Sequence, residues 1–431
     1  MAAPAEAQRD LLGAAGRPPA AAVRVLRDIT TDATPRIETG IPELDRVLGG
    51  GLVPASVVLI GGEPGVGKST LSLQLAARLA KSGRFLYVTG EESPEQLRLR
   101  AERLPEMPGD MLVLAETRVE EIGAPWYERN PAVVLIDSIQ TLRTDRVESA
   151  PGSVAQVREC AALLSATAKA HGAALVLIGH VTKDGQLAGP RVLEHLVDVV
   201  LNFEGDRGQV FRILRASKNR FGSTDEVGVF TMTESGLVGV ANPSELLLAE
   251  RQSGAPGSCI APIVEGTRPM LVEIQALVAP AGYGTARRTS LGIDDGRLAL
   301  LLAALDRRSN VDLVGKDVYV NVAGGVRIAE PGPDLALALA LASSRLDLPL
   351  PPDVAACGEI GLGGEVRRVG RIDLRVREAV RLGFRRVLLP AGAEEESRLP
   401  PEARVVPVAN VAEAVAWLRA SSSVNGAVNI R

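Results

Sequence analysis

The chain has 431 residues, 46% of them apolar and 23% charged, which suits about two or three folded domains and excludes a disordered or fibrous protein. A net charge of −4 excludes a global basic field for nucleic acid, so any DNA contact must come from local patches. No apolar run is long enough to cross a membrane, and three scattered cysteines (Cys160, Cys259, Cys357) without a C-x-x-C pair exclude a disulfide framework and fit a reducing cytoplasm.

Residues 1–35 are rich in Ala and Pro and read as a flexible arm, without the apolar core of a signal peptide. From 36 to 240, apolar runs such as "SVVLIGG", "FLYVTG", "AVVLIDS" and "ALVLIGH" alternate with helical stretches, the pattern of a parallel sheet covered on both faces. Three further strands, "VVLNFEGD", "VFRILRAS" and "VGVFTMTESG", follow without helices and predict an antiparallel extension at one sheet edge. Pro, Gly and Ser punctuate 241–258, which reads as a linker. Residues 259–420 mix strands and helices in a second, α+β domain, and 421–431 read as a disordered tail.

The first apolar strand runs into "GEPGVGKST", Gly62, Glu63, Pro64, Gly65, Val66, Gly67, Lys68, Ser69 and Thr70, a match to G-x-x-x-x-G-K-[ST] with a strand before it and a helix after it. Glycines let backbone N–H groups curl around phosphate oxygens, Lys68 would reach the β- and γ-phosphates of ATP, and Ser69 would supply a hydroxyl to Mg²⁺. Asp137 ends the buried strand "AVVLID" and is the second candidate for Mg²⁺. Two acids follow "FLYVTG"; Glu91, rather than Glu92, is the preferred residue to orient the attacking water. His180 ends "LVLIGH" as a candidate γ-phosphate sensor. In "SKNRFG", Lys218 and Arg220 stand two apart on a strand and would reach out from one face, with four readings open: a salt-bridged surface strand, a turn, a contact to a nucleotide phosphate, or a contact to DNA.

Taken with "TGIPELDRVLGGGLVPAS", "VTGEES", "LIDSIQT", "GHVTKDGQLAGPRVLEHLVD", "SKNRFGSTDEVGVF" and "NPSELLL", these motifs make the chain resemble the bacterial RadA (Sms) family of DNA repair proteins over about residues 36–420. The resemblance implies an α/β, RecA-like P-loop ATPase core, a homohexameric ring on single-stranded DNA, and ATP-driven branch migration of branched recombination intermediates beside the RecA recombinase. It implies ATP and Mg²⁺ as cofactors, Lys68, Glu91, Lys218 and Arg220 as the catalytic set, and Lys218 or Arg220 as a finger on a neighbour's ATP or as a DNA contact. It also implies that two polar segments, "TLRTDRVESAPGSV" and "VTKDGQLAGPRV", face the ring's centre, with Arg143, Arg146, Lys183 and Arg191 tracking DNA. The family opens with a four-cysteine zinc finger; here no cysteine precedes Cys160, and no zinc is expected.

The second domain resembles the proteolytic domain of Lon proteases in "DVYVNVAGGVRI", "GEIGLGGEVRRVG" and "GFRRVLLPAG". A Lon site needs a serine nucleophile and a lysine base. Asp334 stands at the serine position and Asp373 near the lysine position, so peptidase activity is not expected. Between Arg367 and Arg386 eight arginines face two acids, and the helical wheel turns Arg371, Arg375, Arg377 and Arg381 away from the apolar stripe as a candidate DNA surface. The alternatives are an ATP-dependent protease and a RecA-fold ATP-binding regulator with no DNA role.

Overall fold

A computed structural model describes residues 35–81, 84–105, 110–180, 190–205, 210–282, 285–393 and 398–426, apart from the side chains of 190, 191 and 422–426. The chain forms two compact units that divide after Ala241.

The first unit is built on a nine-stranded sheet: β1 (Val57–Gly62), β2 (Phe85–Thr89), β3 (Leu112–Ala115), β4 (Val133–Asp137), β5 (Ala174–His180), β6 (Val199–Glu204), β7 (Arg212–Asn219), β8 (Val227–Thr233) and β9 (Gly236–Gly239). Their order is β3-β2-β4-β5-β1-β6-β7-β8-β9. The first six are parallel, and β7 to β9 add on as an antiparallel meander. The helices are α1 (Pro42–Leu48), α2 (Lys68–Ala80), α3 (Pro94–Ala101), α4 (Val119–Arg129), α5 (Val154–His171) and the short α6 (Pro190–Leu193).

Strand alternation explains why the apolar runs are unbroken. Val58 and Ile60 join a core with Leu71, Leu73 and Leu75 of α2, whereas Val57 and Leu59 join Ile122 and Trp126 of α4 and Val157 and Leu164 of α5. Both faces are covered, so every residue of β1, β2 and β4 is buried. The polar residues that end β2, β4 and β5 therefore collect with the glycine-rich turn after β1 at the carboxyl edge of the sheet, where open α/β sheets bind ligands.

The second unit holds α7 (Pro243–Leu248), strands β10 (Ser258–Glu265), β11 (Arg268–Pro280), β12 (Arg288–Leu291), β13 (Lys316–Val322), β14 (Val354–Ala356), β15 (Glu359–Ile360), β16 (Val366–Arg367), β17 (Arg386–Pro390) and β18 (Arg404–Val408), and helices α8 (Asp295–Arg308), α9 (Asp334–Leu346), α10 (Ile372–Arg381) and α11 (Val411–Gly426). Seven strands form a sheet in the order β12-β13-β11-β10-β14-β17-β18, and β15 and β16 form a separate hairpin.

Two expectations change here. The segment 241–258 is more than a linker: it carries α7, whose Ser244 hydroxyl donates to Glu378 (2.6 Å) and accepts from the Leu271 amide (3.0 Å). The expected disordered tail from 421 begins as helix, because α11 continues to Gly426, and 427–431 lie outside the described residues. Val411, Ala414, Val415 and Leu418 anchor that helix in the core, and once such a helix is nucleated, extending it through a serine run costs little.

Candidate active site

The turn after β1 depends on two glycines. A Cβ at Gly62 would lie 2.5 Å from the Phe203 carbonyl oxygen, so only glycine lets the loop leave the sheet there. Gly67 has φ 118° and caps α2, a conformation that costs glycine little. The α2 N-terminus and its free N–H groups then face the loop, the arrangement that receives phosphate. Lys68 is buried and folds back over the loop, donating to the carbonyls of Gly62 (2.7 Å) and Glu63 (3.0 Å). Burial lowers its pKa to about 8, against the pull of Asp137 and Glu91.

Asp137 is buried at the end of β4. Its Oδ2 accepts from the Tyr87 hydroxyl (2.8 Å), and the Ser69 side chain is near enough to the same carboxylate to favour its charged form. Its Oδ1 is buried with no partner among the described residues. Burial raises its pKa, which Tyr87 and Ser69 oppose. An orphaned carboxylate oxygen beside the Ser69 hydroxyl, next to a phosphate loop, is a donor set that suits Mg²⁺.

The two acids after β2 diverge. Glu92 pairs with Arg100 at 2.5 Å. Glu91 turns toward the sheet edge, where its Oε1 accepts from Ser138 Oγ (2.5 Å) and from His180 Nε2 (3.1 Å). Burial raises the Glu91 pKa, but the Ser138 and His180 bonds outweigh it and hold the carboxyl below its usual range. Gln140 donates to the His180 carbonyl (3.2 Å), while Gln140 Oε1 and His180 Nδ1 are buried without partners among the described residues. The fold thus gathers Lys68, Ser69, Glu91, Asp137 and His180 at one edge. Tyr87, Ser138 and Gln140 join them there, unnoticed in the sequence. The one available signal was position: Ser138 and Gln140 follow the strand-ending Asp137 directly.

The second unit has its own charged cluster. Asp334 opens α9 and is buried. Its Oδ1 accepts from Arg297 Nε (2.9 Å), and its Oδ2 from Arg297 Nη2 and the Ile360 amide (3.0 Å). Both oxygens are engaged, and no hydroxyl or thiol stands at this helix start. Asp373 is partly exposed and lies 3.5 Å from Arg377.

The model of an AAA domain matches residues 24–186, and that of the Lon protease (S16) C-terminal proteolytic domain matches residues 307–415. A DNA repair protein RadA from Bacillus subtilis is 52% identical over 391 residues, covering 90% of this chain and 85% of that protein. RadA proteins from Halalkalibacterium halodurans and Brucella abortus are 52% and 53% identical, again over 90% of this chain and over 85% and 84% of their own lengths. The chain belongs to the RadA family of DNA repair proteins. The RadA-family core is a RecA-like P-loop ATPase fold followed by a Lon-type domain.

The cations singled out in this RadA-family sequence fall into distinct settings. Lys218 pairs with Val200 and Asn219 with Val199, at the start of β6, whereas Gly62 pairs with Phe203 near its end. At the rise of a β-strand, Lys218 is thus about 10 Å along the sheet and about 10 Å across it from the chain's own phosphate loop. Its Nζ caps the carbonyls of Glu194 (2.5 Å) and Val197 (2.7 Å), pointing away from that loop. Arg220 lies just beyond β7, more than half exposed, 3.3 Å from Asp198. The turn itself is built by Asn219, whose Oδ1 accepts from the Phe221 amide (2.9 Å), and by Arg36, which donates to the Phe221 carbonyl (2.7 Å).

Arg143 and Arg146 are exposed on the connection between β4 and α5. That connection is ordered from within by the buried Gln156, whose amide bonds the backbone of Thr144, Val147 and Ser149. Lys183 lies outside the described residues, as does the side chain of Arg191.

Arg371, just before α10, and Arg377 on it are exposed, and Arg381 pairs with Glu378 (2.9 Å) and Glu245 (3.3 Å). Arg375 is a correction: it is 2% exposed, donating to the carbonyls of Gly370 (2.9 Å) and Pro262 (2.7 Å) and pairing with Glu330. On the wheel Arg375 flanks the apolar stripe, about 40° from Ala379, where tertiary packing decides which side it takes. The acceptors that make its burial tolerable come from other segments.

Proposed function

We propose that this chain is a DNA-stimulated ATPase motor of recombination and repair, working as a hexameric ring on single-stranded DNA and driving branch migration in partnership with the RecA recombinase. The observation that carries the ring is the separation of Lys218 and Arg220 from the chain's own phosphate loop. Two cations held at the opposite end of β6 can meet a triphosphate only if it belongs to another subunit. Hydrolysis then requires ring closure.

In this reading the backbone N–H groups of the phosphate loop bind the β- and γ-phosphates and Lys68 swings from its two carbonyls onto them. Ser69 and Asp137 hold Mg²⁺, which when bound neutralises phosphate charge. Glu91 orients a water whose oxygen attacks the γ-phosphorus. The bond to the bridging oxygen breaks, ADP leaves, and the water's proton ends on inorganic phosphate. A neighbour's Lys218 or Arg220 stabilises the charge on the transferring group, an effect worth about 10³–10⁵-fold where arginine fingers have been measured. Arg143 and Arg146 supply backbone contacts to DNA.

The test is ATP turnover with and without single-stranded DNA, followed by branch migration of a synthetic recombination intermediate with and without recombinase. Stimulation and migration are expected; turnover indifferent to DNA, with no binding at low salt, overturns the motor and favours a regulator. Lys218→Ala and Arg220→Ala then divide the two anions. Lost turnover with intact DNA binding supports the finger, and the reverse pattern moves the pair onto DNA.

A further inference from the structure

We propose that Ser138 is a positioning residue for ATP hydrolysis: together with His180 it pins Glu91 by one carboxylate oxygen and leaves the other to hold the attacking water. The inference rests on the reading of Glu91 as the residue that orients that water.

Both donors converge on Glu91 Oε1, Ser138 Oγ from the end of β4 and His180 Nε2 from the end of β5. Oε2 receives no hydrogen bond from the described residues, although about two-fifths of the side chain is open to solvent. A carboxylate so divided has one oxygen committed to orientation and one available to accept from water.

The two donors are themselves held. Ser138 is 0% exposed, and its carbonyl accepts from the Thr141 amide (3.2 Å) and the Thr141 hydroxyl (2.8 Å), which fixes the backbone that carries Oγ. The His180 backbone is held by the Gln140 amide at 3.2 Å. A carboxylate oxygen only accepts, so His180 Nε2 is the donor in its bond to Glu91 Oε1. In this arrangement His180 addresses the reaction through Glu91. The direct contact with the γ-phosphate expected from its strand-end position requires that this bond be exchanged.

Ser138 is the stronger anchor, being shorter in its bond and fully enclosed, while His180 is partly open. Misplacing a catalytic group by about 1 Å can cost about 10²-fold. Losing the Ser138 bond alone, with His180 still in place, should therefore cost ~10- to 100-fold.

The experiment is a double-mutant cycle of Ser138→Ala and Glu91→Gln, read by single-turnover hydrolysis at saturating ATP and by direct binding of a fluorescent ATP analogue. Ser138→Ala is expected to lower the turnover rate ~10- to 100-fold, with analogue affinity and melting temperature unchanged, and to cost nothing further once Glu91 is Gln. Equal losses in both backgrounds, or a loss explained by weakened analogue binding, overturn the proposal. If alanine destabilises β4, Ser138→Cys keeps the volume, removes the strong donor and should give the same pattern. Wild-type hydrolysis by Glu91→Gln alone is a different failure, since it removes the role of Glu91 itself.

Discussion

The two units each carry a buried carboxylate at a place where related folds do chemistry, and the two are finished differently. Asp137, in the ATPase unit, keeps one oxygen buried and, among the described residues, unpartnered, as are His180 Nδ1 and Gln140 Oε1. Asp334, in the Lon-like unit, has both oxygens engaged by Arg297 and the Ile360 amide, and the adjacent Glu330 is closed in the same way by Arg375 and the Val264 amide. Leaving buried polar atoms unpaired costs about 1–3 kcal/mol each. A fold retains such atoms where a ligand will satisfy them. Where the protein satisfies its own groups, stability replaces chemistry.

The sharpest way to break that comparison is at Lys68. Lys68→Ala removes the only cation in the phosphate loop, and the loss of one such charge-stabilising donor is worth about 10²–10³-fold or more. ATP turnover in the variant is expected to fall to background. Retention of roughly a tenth of the wild-type rate would mean that the unfinished site is not the reactive one.

The Lon-like cluster gives the next largest effect, on stability rather than rate. Asp334→Ser restores a hydroxyl at the protease position, and Asp373→Lys restores an amine, yet ATP-dependent casein breakdown is not expected from either variant or from both together. Asp334→Ser instead removes the buried carboxylate that clamps Arg297 and the Ile360 amide, leaving Arg297 only the Ile360 carbonyl (3.3 Å) and Glu359 (3.9 Å), which should cost about 2 kcal/mol in urea unfolding. Casein cleavage by the double variant, or unchanged stability in the single one, would show that the cluster is a dormant site rather than a clamp.

The same contrast explains what could be read in the sequence. The phosphate loop and the strand ends were legible because their chemistry is local: Gly62 to Thr70 is one contiguous motif, and Asp137 and His180 each end a run of buried apolar residues. The Arg297–Asp334 and Arg375–Glu330 pairs were not, because their partners lie 37 and 45 residues apart and meet only through packing. Arg375 shows the limit best. On a helical wheel it flanks the apolar stripe, about 160° around from Arg377, and the Pro262 carbonyl and Glu330 supply the acceptors that let a guanidinium at that flank be buried. Ser138 and Tyr87 were missed for the related reason that strand order, not sequence, brings β2, β4 and β5 side by side.

The smallest predicted effect is a proton. With no nucleotide bound, burial holds Lys68 to a pKa of about 8, from an ordinary 10.5. The negative phosphates of ATP favour the charged ammonium and raise that pKa again on binding. Below about pH 8 the amine is charged in both states, so binding takes up little proton. Above it the free protein has lost the proton that the complex retains, so uptake approaches one proton per site and affinity falls as pH rises. Calorimetric titration of ATP at pH 7 and pH 9, in buffers of different ionisation enthalpy, measures that uptake directly. The Lys68→Ala variant should lose the difference between the two pH values. If wild type and variant show the same uptake, the proton belongs to another group, and the buried amine would then be uncoupled from the phosphates it faces.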